Sequence, residues 1–268
     1  MTDQPVILLT KADGIATLTL NRPAVHNAFD EETIASITAA LRDAGADASV
    51  RAVVLRAQGK SFCAGGDLNW MRRAAGYTSA ENEADAQLLG VMLNTLYTLP
   101  KPTIAMVHGA VYGGGVGVVA ACDIALGLPD SKFCLSEVKI GLVPSVISPY
   151  VLQAIGARAA RRLFLTAEVF SAEKAQQLGL LHDVCADEAA REDQLAYILK
   201  HIQRNAPDAM HVAKELIYEM VGKPIDTDVV RRSAELIARR RATAEAKEGI
   251  TAFLEKRQPN WVQPKGDA

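Results

Sequence analysis

Two glycine-rich segments carry the first chemical signal. Lys60-Ser61-Phe62-Cys63-Ala64-Gly65-Gly66-Asp67-Leu68 follows an apolar β run at 51–57. His108-Gly109-Ala110-Val111-Tyr112-Gly113-Gly114-Gly115-Val116-Gly117 follows another run at 103–107 and opens an apolar helix. Glycine at a strand end lets backbone N–H groups approach a ligand where a side chain would obstruct them, and a helix start adds the positive end of its dipole. Each segment alone reads equally well as a tight turn or a close helix contact. Together they offer two backbone donors to one oxygen, which is how an oxyanion hole is built. Neither ends in the Gly-Lys-Ser/Thr of a phosphate loop, and neither is a GxGxxG dinucleotide fingerprint.

The elements that must position these loops follow from the surrounding pattern. Residues 6–9 and 15–20 are apolar or alternating runs separated by Ala12-Asp13-Gly14, the pattern of an opening hairpin. A helix is expected from about Asp30, a good N-cap followed by Glu31 and Glu32. The β runs at 51–57, 103–107 and 123–128 alternate with segments of helical period, which predicts βαβ units and an α/β fold. Beyond about residue 156 alanine, arginine, leucine and glutamate dominate and strand-like runs nearly vanish. Pro207 and Gly222-Lys223-Pro224 punctuate this helical part. The expected division is an α/β core at 1–200 and a helical region at 201–268.

Composition limits the classes of function. The 268 residues include 49% hydrophobic and 22% charged, with 29 Lys+Arg against 31 Asp+Glu, which is globular arithmetic. The near-neutral balance argues against a nucleic-acid partner, whose affinity rests on clustered cations. Cys63, Cys122, Cys134 and Cys185 form no CxxC pair and no zinc spacing, so they read as reduced, mostly buried thiols and no metal is expected. The stretch 103–128 is apolar but broken by His108, Asp123 and glycines, so a membrane span is not expected. The N-terminal MTDQPVILLT lacks a basic region and apolar stretch of secretory type, which makes the cytoplasm the expected location.

Over nearly its whole length the chain resembles the crotonase, or enoyl-CoA hydratase/isomerase, superfamily. The matching blocks, in order, are LNRPAVHNAF, KSFCAGGDL, VHGAVYGGGVGVVAACDIAL, FCLSEVKIGLVPSVISPYVLQAIG, LTAEVFSAEKAQQLGL and AFLEKRQPNW. The resemblance implies a spiral of βαβ turns, a C-terminal helical trimerisation region, and a homotrimer or dimer of trimers. It matches the N–H groups of Gly66 and Gly114 to the oxyanion hole that polarises an acyl-CoA thioester. Glu137 matches the second of the family's two hydratase glutamates, and Gly117 stands where the first would fall. Val25, Ala64, Asp67 and Leu68 match positions near the adenosine and pantetheine of coenzyme A. Phe253 and Lys256 match a pair that contacts coenzyme A from a neighbouring subunit.

The Gly117 exchange removes the two-glutamate mechanism. The segment around Glu137 is most similar to 3-methylglutaconyl-CoA hydratases of bacterial leucine breakdown, and closely similar sequences hydrate isohexenylglutaconyl-CoA. The residues do not separate these two. A Δ3-Δ2-enoyl-CoA isomerase also needs one glutamate, and a CoA-binding scaffold stands as the non-enzymatic alternative. Tyr112, Ser145, a backbone group near Gly117 and the substrate's own carboxylate are the candidates to replace the missing glutamate. Lys139, Arg72 and Arg73 are the cations available to a distal carboxylate. No cofactor is expected beyond the coenzyme A of the substrate. Between 229 and 257 lie eight basic and four acidic residues, most simply a solvated helix face or intersubunit pairs.

Overall fold

A computed structural model describes residues 4–262. Met1 to Asp3 of the N-terminal stretch, and the last residues of the expected 201–268 region, lie outside the described residues. The chain divides into a unit ending at Ala196 and a unit beginning at Tyr197.

In the first unit, β1 (Ile7–Ala12) and β2 (Ile15–Leu20) form the expected hairpin, with Asp13 and Gly14 at positive φ in its turn. Next come α1 (Glu31–Ala46), β3 (Ala52–Ala57), β4 (Ser61–Cys63), α2 (Leu68–Ala74), α3 (Ser79–Tyr97), β5 (Thr103–Val107), β6 (Ala110–Tyr112) and α4 (Gly114–Ala121). After them run β7 (Ile124–Gly127), β8 (Lys132–Cys134), α5 (Ser148–Thr166, broken at Gly156), β9 (Phe170–Ser171), α6 (Ala172–Leu178) and β10 (Asp183–Val184). Asp30 caps α1 as its sequence predicts, accepting from Thr33 N–H at 2.9 Å.

The strands sort into two sheets. One has the order β1-β2-β3-β5-β7-β10 and is parallel after the hairpin; the other has the order β4-β6-β8-β9 and is parallel across its first three strands. Successive chain segments repeat one plan: β3 then β4, β5 then β6, β7 then β8, each pair giving one strand to each sheet before a helix follows. The first turn is abbreviated, with β2 in the large sheet and Phe29 alone bridging to Gly66 beside the small one. This is the spiral of βαβ turns. The runs Val53–Leu55 and Thr103–Val107 are buried throughout, as strands covered on both faces must be. The short strands β4 and β6, inside the two glycine segments, and β8, before Glu137, are not among the expected β runs, because three residues are too few to show a period.

α7 (Glu188–Arg204) contains the boundary between the units, and the second unit continues with α8 (Pro207–Met220), α9 (Thr227–Arg241) and α10 (Ala244–Leu254). Pro207 sits at the first position of α8, where its missing N–H costs nothing. Glu245 accepts from the N–H groups of Asp208 and Ala209 and pairs with Arg240 at 2.6 Å, tying the start of α8 to α10. Much of the basic composition is neutralised locally: Arg231 and Arg232 pair with Asp228, and Arg257 with Glu248 and Glu255. Ile217, Val221, Ile225, Phe253 and Leu254 are all exposed.

Candidate active site

The chemical residues follow the carboxyl ends of three neighbouring parallel strands. β4 leads into Ala64-Gly65-Gly66, β6 into Gly113-Gly114, and β8 into Leu135-Ser136-Glu137. Ligands of parallel α/β sheets bind at such ends. Gly113 N–H donates to Cys134 O at 2.9 Å, tying the second loop to β8. A Cβ on Gly113 would lie 3.9 Å from Gly65 Cα and 3.2 Å from Glu137 Oε1, so all three segments meet there. Gly113 has φ +50 and ψ −116, a conformation open in practice to glycine.

Both amide donors are available. Phe29 N–H donates to Gly65 O and Asp67 N–H to Phe29 O, each at 2.8 Å. The bridge to Phe29 is therefore made by the neighbours of Gly66, whose own N–H points away from it. Gly114 is the first residue of α4, so its N–H has no intrahelical acceptor and lies at the positive end of the helix dipole. Phe29, only 1% exposed, supports both loops: it brackets Gly66, and its ring edge would lie 3.1 Å from a Cβ on Gly114.

Glu137 opens a short 3-10 turn, Glu137–Ile140, held by Leu142 N–H donating to Glu137 O at 3.0 Å. Its Oε2 is buried and receives no hydrogen bond. Burial pushes its pKa upward, a backbone hydrogen bond working in the opposite direction. A carboxylate so placed is a poised proton acceptor, since an unmet hydrogen-bonding group in a dry setting gains from a proton or a bound water.

The space beside Gly117 is closed. A Cβ on Gly117 would come within 2.3 Å of Ile147 Cγ2 and 3.5 Å of Leu93 Cδ1, and Ile147 is 2% exposed. Gly117 is thus an accommodation to Ile147, a reason the sequence alone did not reveal because the partner lies thirty residues away on the α5 cap.

The remaining residues differ in what they can offer. Val25 (41% exposed) and Leu68 (68%) are open, and Ala64 is half-buried. Asp67 is buried: its Oδ1 accepts from the N–H groups of Asn69 and Trp70 as the cap of α2, and its Oδ2 meets Arg22 at 3.1 Å. Burial would raise its pKa, but these donors hold the carboxyl below the usual range. Its side chain is committed to the loop, and its main chain donates to Phe29 O and accepts from Met71 N–H. Phe253 is exposed at the end of α10, and Lys256 follows it at φ +53 in the second unit. His108 Nε2 lies 3.0 Å from Gly59 O, a strand-end contact. Burial pushes the Cys63 thiol up to about 12, unsuited to a nucleophile. Among the described residues no three His, Cys, Asp or Glu side chains are gathered to hold a metal, and no helix is long and apolar enough to cross a membrane.

The residues missed from sequence are the supports: Phe29 and Arg22 lie in LNRPAVHNAF, a block whose polar residues gave no chemical pattern of their own.

A fold and site of this kind define an acyl-thioester enzyme class, and comparison with known proteins agrees. Residues 10–264 match the enoyl-CoA hydratase/isomerase family, to which the chain belongs. A solved structure from Legionella pneumophila, assigned to the enoyl-CoA hydratase/isomerase (crotonase) class, is 46% identical with a TM-score of 0.90, covering 96% of this chain and 99% of that one. An enoyl-CoA hydratase structure from Shewanella pealeana is 40% identical with a TM-score of 0.93, covering 96% of each. The trans-2-decenoyl-[acyl-carrier-protein] isomerase of Streptococcus mutans is 31% identical over 260 residues, covering 96% of this chain and 97% of its own. Hydratase/isomerase chemistry on acyl-CoA is therefore the activity class of this chain.

Proposed function

We propose that the protein hydrates an α,β-unsaturated acyl-CoA, 3-methylglutaconyl-CoA, to 3-hydroxy-3-methylglutaryl-CoA, with Glu137 as the single acid–base group. The observation that carries this reading is the buried Glu137 Oε2, which receives no hydrogen bond, beside Gly113, with position 117 closed by Ile147. The thioester oxygen accepts from Gly66 and Gly114 N–H. Glu137 takes a proton from water as the hydroxide oxygen bonds Cβ, and the alkene electron pair moves onto the thioester oxygen. Glu137 then returns the proton to Cα as the enolate collapses. Water is the only co-reactant, so the step balances without a metal or redox cofactor. One oxyanion donor is worth about 2.7–4 kcal/mol in comparable enzymes.

Coenzyme A runs past Val25, Ala64, the Asp67 main chain and Leu68 in this reading, with Phe253 and Lys256 supplied by a neighbouring subunit. The exposed apolar side chains of the second unit support a trimer or dimer of trimers, and a cytoplasmic setting suits the substrate. For the distal carboxylate we assign Lys139. Arg73 is paired with Glu31 at 2.6 Å and Arg72 donates to Asn69, whereas Lys139 makes only a 3.9 Å contact with Cys134 Sγ.

The second reading is double-bond isomerisation, which also needs one carboxylate, here moving a proton between Cα and Cγ. The similarity to the Streptococcus isomerase favours it. A coupled mass and absorbance assay with 3-methylglutaconyl-CoA, isohexenylglutaconyl-CoA, crotonyl-CoA and a 3-enoyl-CoA decides. Selective gain of one water on the first substrate is expected. Preference for the isohexenyl compound reassigns the substrate, and isomerisation without water gain overturns the hydratase reading.

A further inference from the structure

The geometry points to Arg22 as a positioning residue that, through Asp67, sets the direction of the Gly66 N–H. This rests on the reading of Gly66 as an oxyanion donor.

Arg22 joins two loops through one guanidinium. Its Nη1 donates to Ala28 O at 2.6 Å, and its Nη2 meets Asp30 Oδ2 at 2.8 Å and Asp67 Oδ2 at 3.1 Å. Asp30 caps α1 and Asp67 caps α2. The same guanidinium therefore joins the start of α1 to the start of α2, whose cap is the residue that follows Gly66. All three side chains are largely buried, at 20%, 17% and 8% exposure, where a fork of donors between two carboxylates is screened little and sets geometry. Phe29 N–H donates to Gly65 O, the carbonyl that shares a peptide plane with the Gly66 N–H, and Asp67 N–H donates to Phe29 O, so the donor plane is held from one side and the residue after it from the other.

The chain leading to Phe29 has the shape of a brace. His26 and Asn27 lie at φ +53 and +55, a conformation that persists in such residues only where surroundings enforce it. Asn27 supplies that enforcement: its Oδ1 accepts from Arg22 N–H, and its Nδ2 donates to Gln58 O and Ser61 O, each of these bonds being 2.8 Å. His26 O in turn accepts from Ala64 N–H at 3.0 Å. The loop from Gln58 to Asp67 is thus held at Gln58, Ser61, Ala64, Gly65 and Asp67 by the segment 22–29, and the Gly66 N–H is left between fixed neighbours.

The test compares Arg22→Met, Arg22→Lys and Asp67→Asn in the intact chain on the substrate the assay above identifies. Asp67→Asn keeps an oxygen to cap α2 while removing the charge that meets Arg22, so it tests the coupling should Arg22→Met fail to fold. Steady-state kinetics are paired with isotope-edited infrared spectra of a 13C-labelled thioester carbonyl bound to each protein. Expected are a kcat lower by about 10- to 100-fold, as for a misplaced catalytic group, little change in KM, and a carbonyl frequency returning toward that of free thioester. Partial recovery of both by Arg22→Lys relative to Arg22→Met supports the role of the charge. Folded Asp67→Asn protein with parental kcat and parental carbonyl frequency overturns the inference. A parental protein that does not lower the carbonyl frequency at all overturns the Gly66 reading itself, so the two failures are distinct.

Discussion

The two loops proposed to supply the amide donors are built by opposite means. The Gly66 loop is held by polar groups: Arg22, Asp67, Asn27 and main-chain bonds to Phe29. The Gly114 loop opens a helix whose residues are almost all apolar or glycine and buried, and it is set by packing against Phe29 and by the dipole of α4. One donor's direction depends on charge and hydrogen bonds and should respond to isosteric changes of charge. The other depends on volume and should respond to added or removed methyl groups.

The largest expected effect falls on the carboxylate both loops serve. Glu137→Gln should lower turnover by about 10²- to 10⁴-fold while calorimetry finds acyl-CoA binding within a few-fold of the parent; near-normal turnover would remove Glu137 from the mechanism. Next comes packing behind the Gly114 loop. Ile147→Ala should destabilise by about 2–5 kcal/mol through the cavity it leaves, and Gly117→Ala by about 1–3 kcal/mol through overpacking. Because a Cβ at 117 meets Ile147 directly, the double variant should lose less than the sum in urea unfolding. Strict additivity would contradict the account of Gly117.

Gly113→Ala tests the junction of the three segments. Its φ of +50 and the 3.2 Å approach to Glu137 Oε1 predict a loss of about 1–3 kcal/mol together with at least tenfold in kcat. Unchanged kinetics at reduced stability would uncouple the loop from Glu137.

The smallest effect is one of pH. Burial raises the Glu137 pKa, so the acid limb of the rate profile should lie above the ordinary glutamate range and vanish in Glu137→Gln. A carboxyl whose folded pKa is raised stabilises the fold below its unfolded pKa, and that contribution is lost as pH rises through the folded value. Glu137→Gln should therefore melt higher than the parent at neutral pH, the difference disappearing in acid. An unchanged difference at every pH would contradict the dry setting.

What could be read in advance differed by scale. β3, β5 and β7 announced themselves as runs of buried side chains, and Asp30-Glu31-Glu32 as a helix start, because those signals repeat locally. The glycine loops were legible as chemistry only in company, each segment alone having an equally good structural reading, and Glu137 only through the resemblance to a family. Arg22 and Asn27 were not legible as supports, since their partners lie as far as 45 residues away. Asp67 was expected beside coenzyme A, yet its side chain is turned into the loop because a buried carboxylate is stable only where donors meet it.

The sequence by itself determined the alternation of strand and helix and the two glycine segments, because period, glycine and capping are local properties, while Glu137 entered through the resemblance of whole blocks to a family. Only the tertiary structure decided that the three loops meet at Gly113, that Ile147 fills the space beside Gly117, and that Arg22 joins the caps of α1 and α2. Those are contacts between distant segments, and close packing, which no local pattern encodes, selects them.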